Sequence, residues 1–141
     1  MGNEGGYVAL GLKVWKAQIE RADKLFGNLS SEEVQHEIAP RRNRLLYLWG
    51  HLTAIHDAML PLLGLGERLH PEFDAAFVSN PDKSHAAPPS HEQVRQAWNA
   101  VKVNCRRVLK KCRGLTGRSD TLPCRRKISR KMLRAIASLS C

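Results

Sequence analysis

Apolar residues recur near the start of the chain at Val8, Leu12, Trp15, Ile19, Ala22 and Phe26. Alternating steps of four and three keep these side chains on one stripe of a helix, and Gly27-Asn28 ends it. Ser30-x-x-Glu33 has the form of a capping box, in which hydroxyl and carboxylate each satisfy a backbone N–H at a helix start. It opens a short helix up to Ile38. Pro40 suits the first turn of a second long helix, where its missing N–H would be unpaired anyway. Leu45, Leu48, Leu52, Ile55, Met59 and Leu62 carry that helix to Gly64. Residues 64–90, punctuated by Pro71, Pro81, Pro88 and Pro89, read as a long connection with a short helical piece around Glu72–Val78. A connection of that length is a crossover between helix pairs or a functional segment.

Ser90-x-x-Gln93 is a second capping signature, followed by a third stripe at Val94, Trp98, Val101, Cys105, Val108 and Cys112. Gly114 to Pro123 breaks the pattern. Ile128, Met132, Ala135 or Ile136, and Leu139 form a further amphipathic segment. With no strand alternation and no internal repeat, the pattern predicts an all-α four-helix bundle with a long connection between helices 2 and 3.

Charge divides the chain more sharply than periodicity does. The net charge is +10 over 141 residues. Residues 1–100 carry 10 Lys/Arg against 12 Asp/Glu, whereas residues 101–141 carry 13 Lys/Arg against one acid, Asp120. All four cysteines lie in the second stretch and all eight aromatics in the first. We therefore divide the chain into 1–115, the bundle with its first three helices, and 116–141, a basic C-terminal segment that supplies a fourth helix or a tail. No apolar run approaches the ~18 residues of a membrane span. The start lacks the basic and apolar regions of a secretory signal, and Met1-Gly2 lacks the Ser or Thr that myristoylation prefers, having Gly6 there. Cys105, Cys112, Cys124 and Cys141 are too widely spaced for a CxxC zinc or redox pair. Reduced thiols and a cytoplasmic setting are the expectation.

Candidate chemistry rests on six histidines: His36, His51, His56, His70, His85 and His91. Bundles build metal sites from inward-pointing His and carboxylates on facing helices. His51 sits within or beside the stripe of the second helix. His56 is about 140° around from it, so the two do not easily share an ion. No pair has the i, i+3 or i, i+4 spacing of a two-histidine helical module. Glu67-x-x-His70 has the di-iron spacing in one copy where two are needed. His36, His70, His85 and His91 read as solvent-exposed. Asp57 would lie about 100° from its neighbour His56. No nucleophile elbow, phosphate-binding loop or paired glycine fingerprint occurs.

The stretch from Leu25 to Trp98 resembles the DinB-like (DinB/YfiT) superfamily of four-helix bundles. The resemblance is carried by LFGNLSSEEV, by IAPRRNRLLYLWGHLTAIHDAMLPLLGLGERLHPEF, and by NPD with the Trp98 helix. It implies a bacterial protein with metal-dependent transferase or hydrolase chemistry. The implied cofactors are a divalent metal (Zn, Ni or Mn) and a low-molecular-weight thiol of the bacillithiol or mycothiol type. Members bind the metal through one histidine of the second helix and two from an HxxxH on the last. His51, in Gly50-His51-Leu52, matches the first. The partners are missing, because no histidine follows His91. One imidazole does not hold a catalytic zinc, which takes three protein ligands and an open position.

The basic segment has three readings. As a tail it packs its Ile128–Leu139 stripe to complete the bundle. As a basic amphipathic helix it meets nucleic acid or anionic membrane, against which it offers no aromatic to stack on bases. As an out-of-frame translation it is explained by one codon choice that, one frame over, turns residues 127–139 into EDFAKDASRHRLA, closer to the family's last helix. The expected function is a DinB-like metal- and thiol-dependent transferase or hydrolase acting on an unidentified small molecule, with an incomplete site. The competing reading is a non-enzymatic module that homodimerises or binds, its basic tail contacting an acidic partner other than nucleic acid.

Overall fold

The computed structural model describes residues 4–64 and 66–114. These form α1 (Glu4–Gly27), a 3-10 turn (Glu33–Gln35), α2 (Leu45–Leu62), the short α3 (Phe73–Phe77) and α4 (His91–Gly114). The fold is an all-α four-helix bundle, with α3 held inside the long connection between α2 and α4. The segment 116–141, with the further helix expected over Ile128–Leu139, lies outside the described residues. No described helix is long and apolar enough to cross a membrane.

α2 is the central element, packed between α4 and α3. The stripe of α1 delivers Ile19 and Phe26 to the core, with Trp15 and Ala22 packed against it. Phe26 stacks on Trp49 of α2, ring centroids 5.1 Å apart. Asp23 ties α1 to α4 by accepting from Trp98 Nε1 at 3.1 Å and Lys102 Nζ at 2.5 Å. Val94, Trp98, Val101 and Cys105 of α4 are buried as their spacing requires, and Ala97 joins them. Both capping boxes form. Ser30 Oγ and Glu33 exchange hydrogen bonds with each other's backbone N–H, and Ser90 with Gln93 does the same at the start of α4. Each satisfies N–H groups that a helix start leaves without intrahelical partners.

The face of α2 differs from the expected one. Leu46, Trp49, Gly50, Thr53, Ala54, Asp57 and Leu60 are buried, whereas Ile55 and Leu62 are exposed at 39% and 45%. The stripe is rotated by about one residue, or about 100°. Polar residues stand on the buried face because their needs are met locally. Thr53 Oγ1 donates to Trp49 O at 2.8 Å, and Asp57 is saturated by a neighbouring loop.

The entry to α2 also differs. Pro40 is not in its first turn, and the helix after the capping box is one 3-10 turn that stops before Ile38. Residues 36–45 instead fold back on themselves. Ile38 N–H donates to Asn43 O and Leu45 N–H to His36 O, closing a Glu37–Arg44 bridge. Arg41 takes a positive φ of 63° in this turn and donates its N–H to Glu37 Oε2 at 2.8 Å.

Candidate functional site

His51 leaves the flank of α2 toward the connection. Its Nδ1 lies 2.7 Å from the carbonyl oxygen of Phe77. A carbonyl only accepts, so Nδ1 carries a proton, and in the neutral ring Nε2 is the acceptor. The Tyr47 ring stacks beside it at 6.3 Å, and Tyr47 Oη donates to Asn80 O at 2.8 Å. The imidazole is thus locked in tautomer and orientation by α3 and the loop after it. It is exposed on the surface of α2 rather than within a buried stripe, because the stripe itself is rotated away.

Phe77 can reach His51 because of Gly50. A Cβ at Gly50 would stand 2.5 Å from three carbons of the Phe77 ring. The glycine therefore lets α3 press against the backbone of α2. This sets the Phe77 carbonyl over the next residue.

The other histidines stay apart from His51. His91 shares a 2.9 Å hydrogen bond with Ser31 Oγ and packs against Trp49, two residues and about 200° around α2 from His51. His70 pairs with Glu72 at 2.9 Å, not with Glu67. His36 is exposed as expected, but His70, His85 and His91 are half-buried. Among the described residues no three His, Cys, Asp or Glu side chains come together as a metal site. The orientation of His51 suits a ligand, since metal-binding histidines commonly donate their second ring N–H to a carbonyl. The described donor set does not fit the three-histidine centre that the resemblance implies.

His56 belongs to a different place. Its Nδ1–H donates to Leu52 O at 2.8 Å, and its ring lies edge-on to Trp98 and tilted against Trp15. Burial holds its pKa below the ordinary histidine value, so the imidazole is neutral with Nε2 as acceptor. It lines a cleft of about 170 Å³ together with Leu12, Trp15, Met59, Leu60, Leu63 and Cys105. Burial, reinforced by the Asp57 carboxylate, pushes the Cys105 thiol up to about 11. It is an inert thiol at neutral pH.

Sequence reasoning missed how the connection is held. Asp57, fully buried, accepts Leu69 N–H at 2.8 Å, His70 N–H at 2.9 Å and Arg68 Nε at 3.3 Å. Arg68 then forks onto Asp74 at the start of α3 through Nη1 at 2.5 Å and Nη2 at 2.7 Å. That fork holds Asp74 below the usual carboxylate range. At the far end Asp82 accepts Arg44 N–H at 2.7 Å and the Arg44 guanidinium at 2.7 and 3.1 Å. Burial, which would raise the Asp82 pKa, is outweighed by these Arg44 bonds, and the net effect is a lowering. Two carboxylate–arginine clasps therefore hold the connection against α2. The available signal was an acid on the apolar helix with an arginine shortly after it. Neither known protein families nor curated proteins provide a match to this chain.

Proposed function

We propose that the chain is a binding module built on a DinB-like bundle, in which the metal position survives as one oriented imidazole and the catalytic centre is not assembled. The observation that carries this reading is the His51 Nδ1–H bond to Phe77 O. It leaves Nε2 as a ligand-type acceptor where the resemblance expects one. No histidine follows His91 to join it. One neutral imidazole offers a divalent cation a single nitrogen, against the three protein ligands of a catalytic zinc site. Metal- and thiol-dependent transferase or hydrolase chemistry is then the ancestry of the fold and not the work of this chain.

Of the two modes of binding weighed from the sequence, self-association is supported by Leu10 and Val14, which lie 58% and 52% exposed on α1. Capture of an acidic partner would fall to the basic segment. Metal analysis separates the module from the enzyme. The module retains no stoichiometric Zn, Ni or Mn, while a metal equivalent lost in His51→Ala supports the enzyme. Sedimentation equilibrium of the full chain reads self-association.

A further inference from the structure

The face of α2 turned away from the core has the composition of a covered surface. Asp57 is the one Asp, Glu, Lys or Arg in the helix, and it is fully buried. On the outer face His51, Ile55, Ala58 and Leu62 follow one another at steps of four, three and four. A helix that is apolar all round is normally packed on all sides, yet His51 is exposed, Ile55 is 39% exposed and Leu62 45%. We propose that this face docks the chain's own residues 128–139, laid antiparallel to α2 as a fourth long helix. The inference goes beyond the reading of the chain as a binding module and does not depend on it.

Three observations select this occupant. The first is spacing. Ile128, Met132, Ala135 and Leu139 repeat the steps of four, three and four, so in helical form each seam spans about 16 Å. The second is side-chain size. Laid antiparallel, with Ile128 at Leu62 and Leu139 at His51, the seams set Met132 against Ala58 and Ala135 against Ile55. Each large side chain then meets a small one, which is how facing layers fill space without a void. The parallel arrangement sets Ala135 against Ala58 and leaves a gap.

The third observation is reach. α4 runs parallel to α2, with His91 packed on Trp49, Trp98 on His56, and Val101 and Cys105 beside Leu60. Its last residue, Gly114, therefore lies past the Leu62 end of α2. Residues 115–127 span at most about 43 Å when extended, enough to turn back onto Leu62, and the antiparallel course needs the shorter return. Charge agrees with the pairing. Lys127, Arg130 and Arg134 fall more than about 100° around such a helix from its seam, so docking leaves them in water. Leu139 would then lie over His51, and access to its Nε2 would depend on the docked segment.

The test is disulfide trapping in the full-length protein with Cys112, Cys124 and Cys141 replaced by Ser, Cys105 being buried. Leu62→Cys is combined with Ile128→Cys in one protein and with Leu139→Cys in another, and each is oxidised with copper phenanthroline. The docked helix predicts a link within one chain in the first protein, formed about tenfold faster than in the second, because docking raises the effective concentration of only one pair. Equal or faster linkage in the second protein overturns the antiparallel pairing. Linkage mainly between chains means that a second copy covers the face, and it overturns the proposal, as does the absence of any link in the first protein. Acylation by diethyl pyrocarbonate, mapped by mass spectrometry, gives a readout without introduced cysteines. In Met132→Asp the rate at His51 should rise about tenfold, while His36, exposed outside this face, and amide exchange along α4 stay unchanged. An unchanged rate at His51 overturns the cover. Neither readout measures metal retention, so this inference and the reading of His51 fail separately.

Discussion

At Gly50 two opposing effects can be weighed against each other. Replacing a mid-helix glycine by alanine gains about 1 kcal/mol of helix propensity. Here the added methyl meets the Phe77 ring at 2.5 Å, and overpacking of this kind costs about 1–3 kcal/mol. We expect Gly50→Ala to lower unfolding stability in urea by up to about 2 kcal/mol and to loosen the Phe77–His51 contact. A stabilised variant would show that α3 does not press on the α2 backbone. The neighbouring histidines are less symmetric than their spacing suggests. His51 is exposed and oriented, while His56 is half-buried and neutral. Because the folded His56 pKa lies below its ordinary value of 6.5, the unfolded state binds more protons as pH falls. Its contribution is fully present above pH 6.5 and is lost as pH falls toward the depressed value. Chemical denaturation of wild type and His56→Phe between pH 7.5 and 5 should show a shallower fall in the variant. An unchanged slope would mean that the fold does not depress the His56 pKa.

At the scale of elements, the long helices α1 and α4 were legible because each has one apolar stripe and a distinct polar face. α4 buries Val94, Trp98, Val101 and Cys105 of the stripe its spacing names. α2 was legible as a helix but not in its rotation. It is apolar almost all round, so periodicity could not choose between Leu48–Leu52–Ile55 and Leu46–Trp49–Thr53. Tertiary hydrogen bonds chose. Asp57 shows why, since a carboxylate is tolerated at a fully buried position when two backbone N–H groups and an arginine face it. These partners come from the connection and cannot be inferred from helix spacing. Asp57→Ala should therefore cost about 3–5 kcal/mol, the range for breaking a buried pair. It should also speed amide exchange at Leu69 and His70. The exposed Lys16–Glu20 pair is the contrasting case, and Lys16→Ala should cost under about 0.5 kcal/mol. Similar losses for the two variants would contradict the clasp.

For the whole molecule, the bundle and its two clasps place His51 and the Trp15–His56 cleft on different faces of α2. The sequence made His51 visible through its resemblance and His56 visible as a second histidine out of register with it. It did not show the cleft, because Trp15, His56 and Cys105 come from three helices and meet through packing. Nor did it show that the Phe77 carbonyl fixes the His51 tautomer, which depends on Gly50 admitting α3. The net charge of +10 belongs to residues beyond the mildly acidic stretch that supplies all of these sites but Cys105, so it says little about what either would bind.

The central claim is that His51 is an oriented imidazole without a catalytic metal centre. Its most direct test is the metal content of the full-length protein after loading with Zn²⁺, Ni²⁺ or Mn²⁺ and gel filtration, measured beside His51→Ala. A single nitrogen ligand predicts less than about 0.1 equivalents of any metal in either protein, since retention requires several protein ligands. About one equivalent retained by the wild type and lost in His51→Ala would contradict the account.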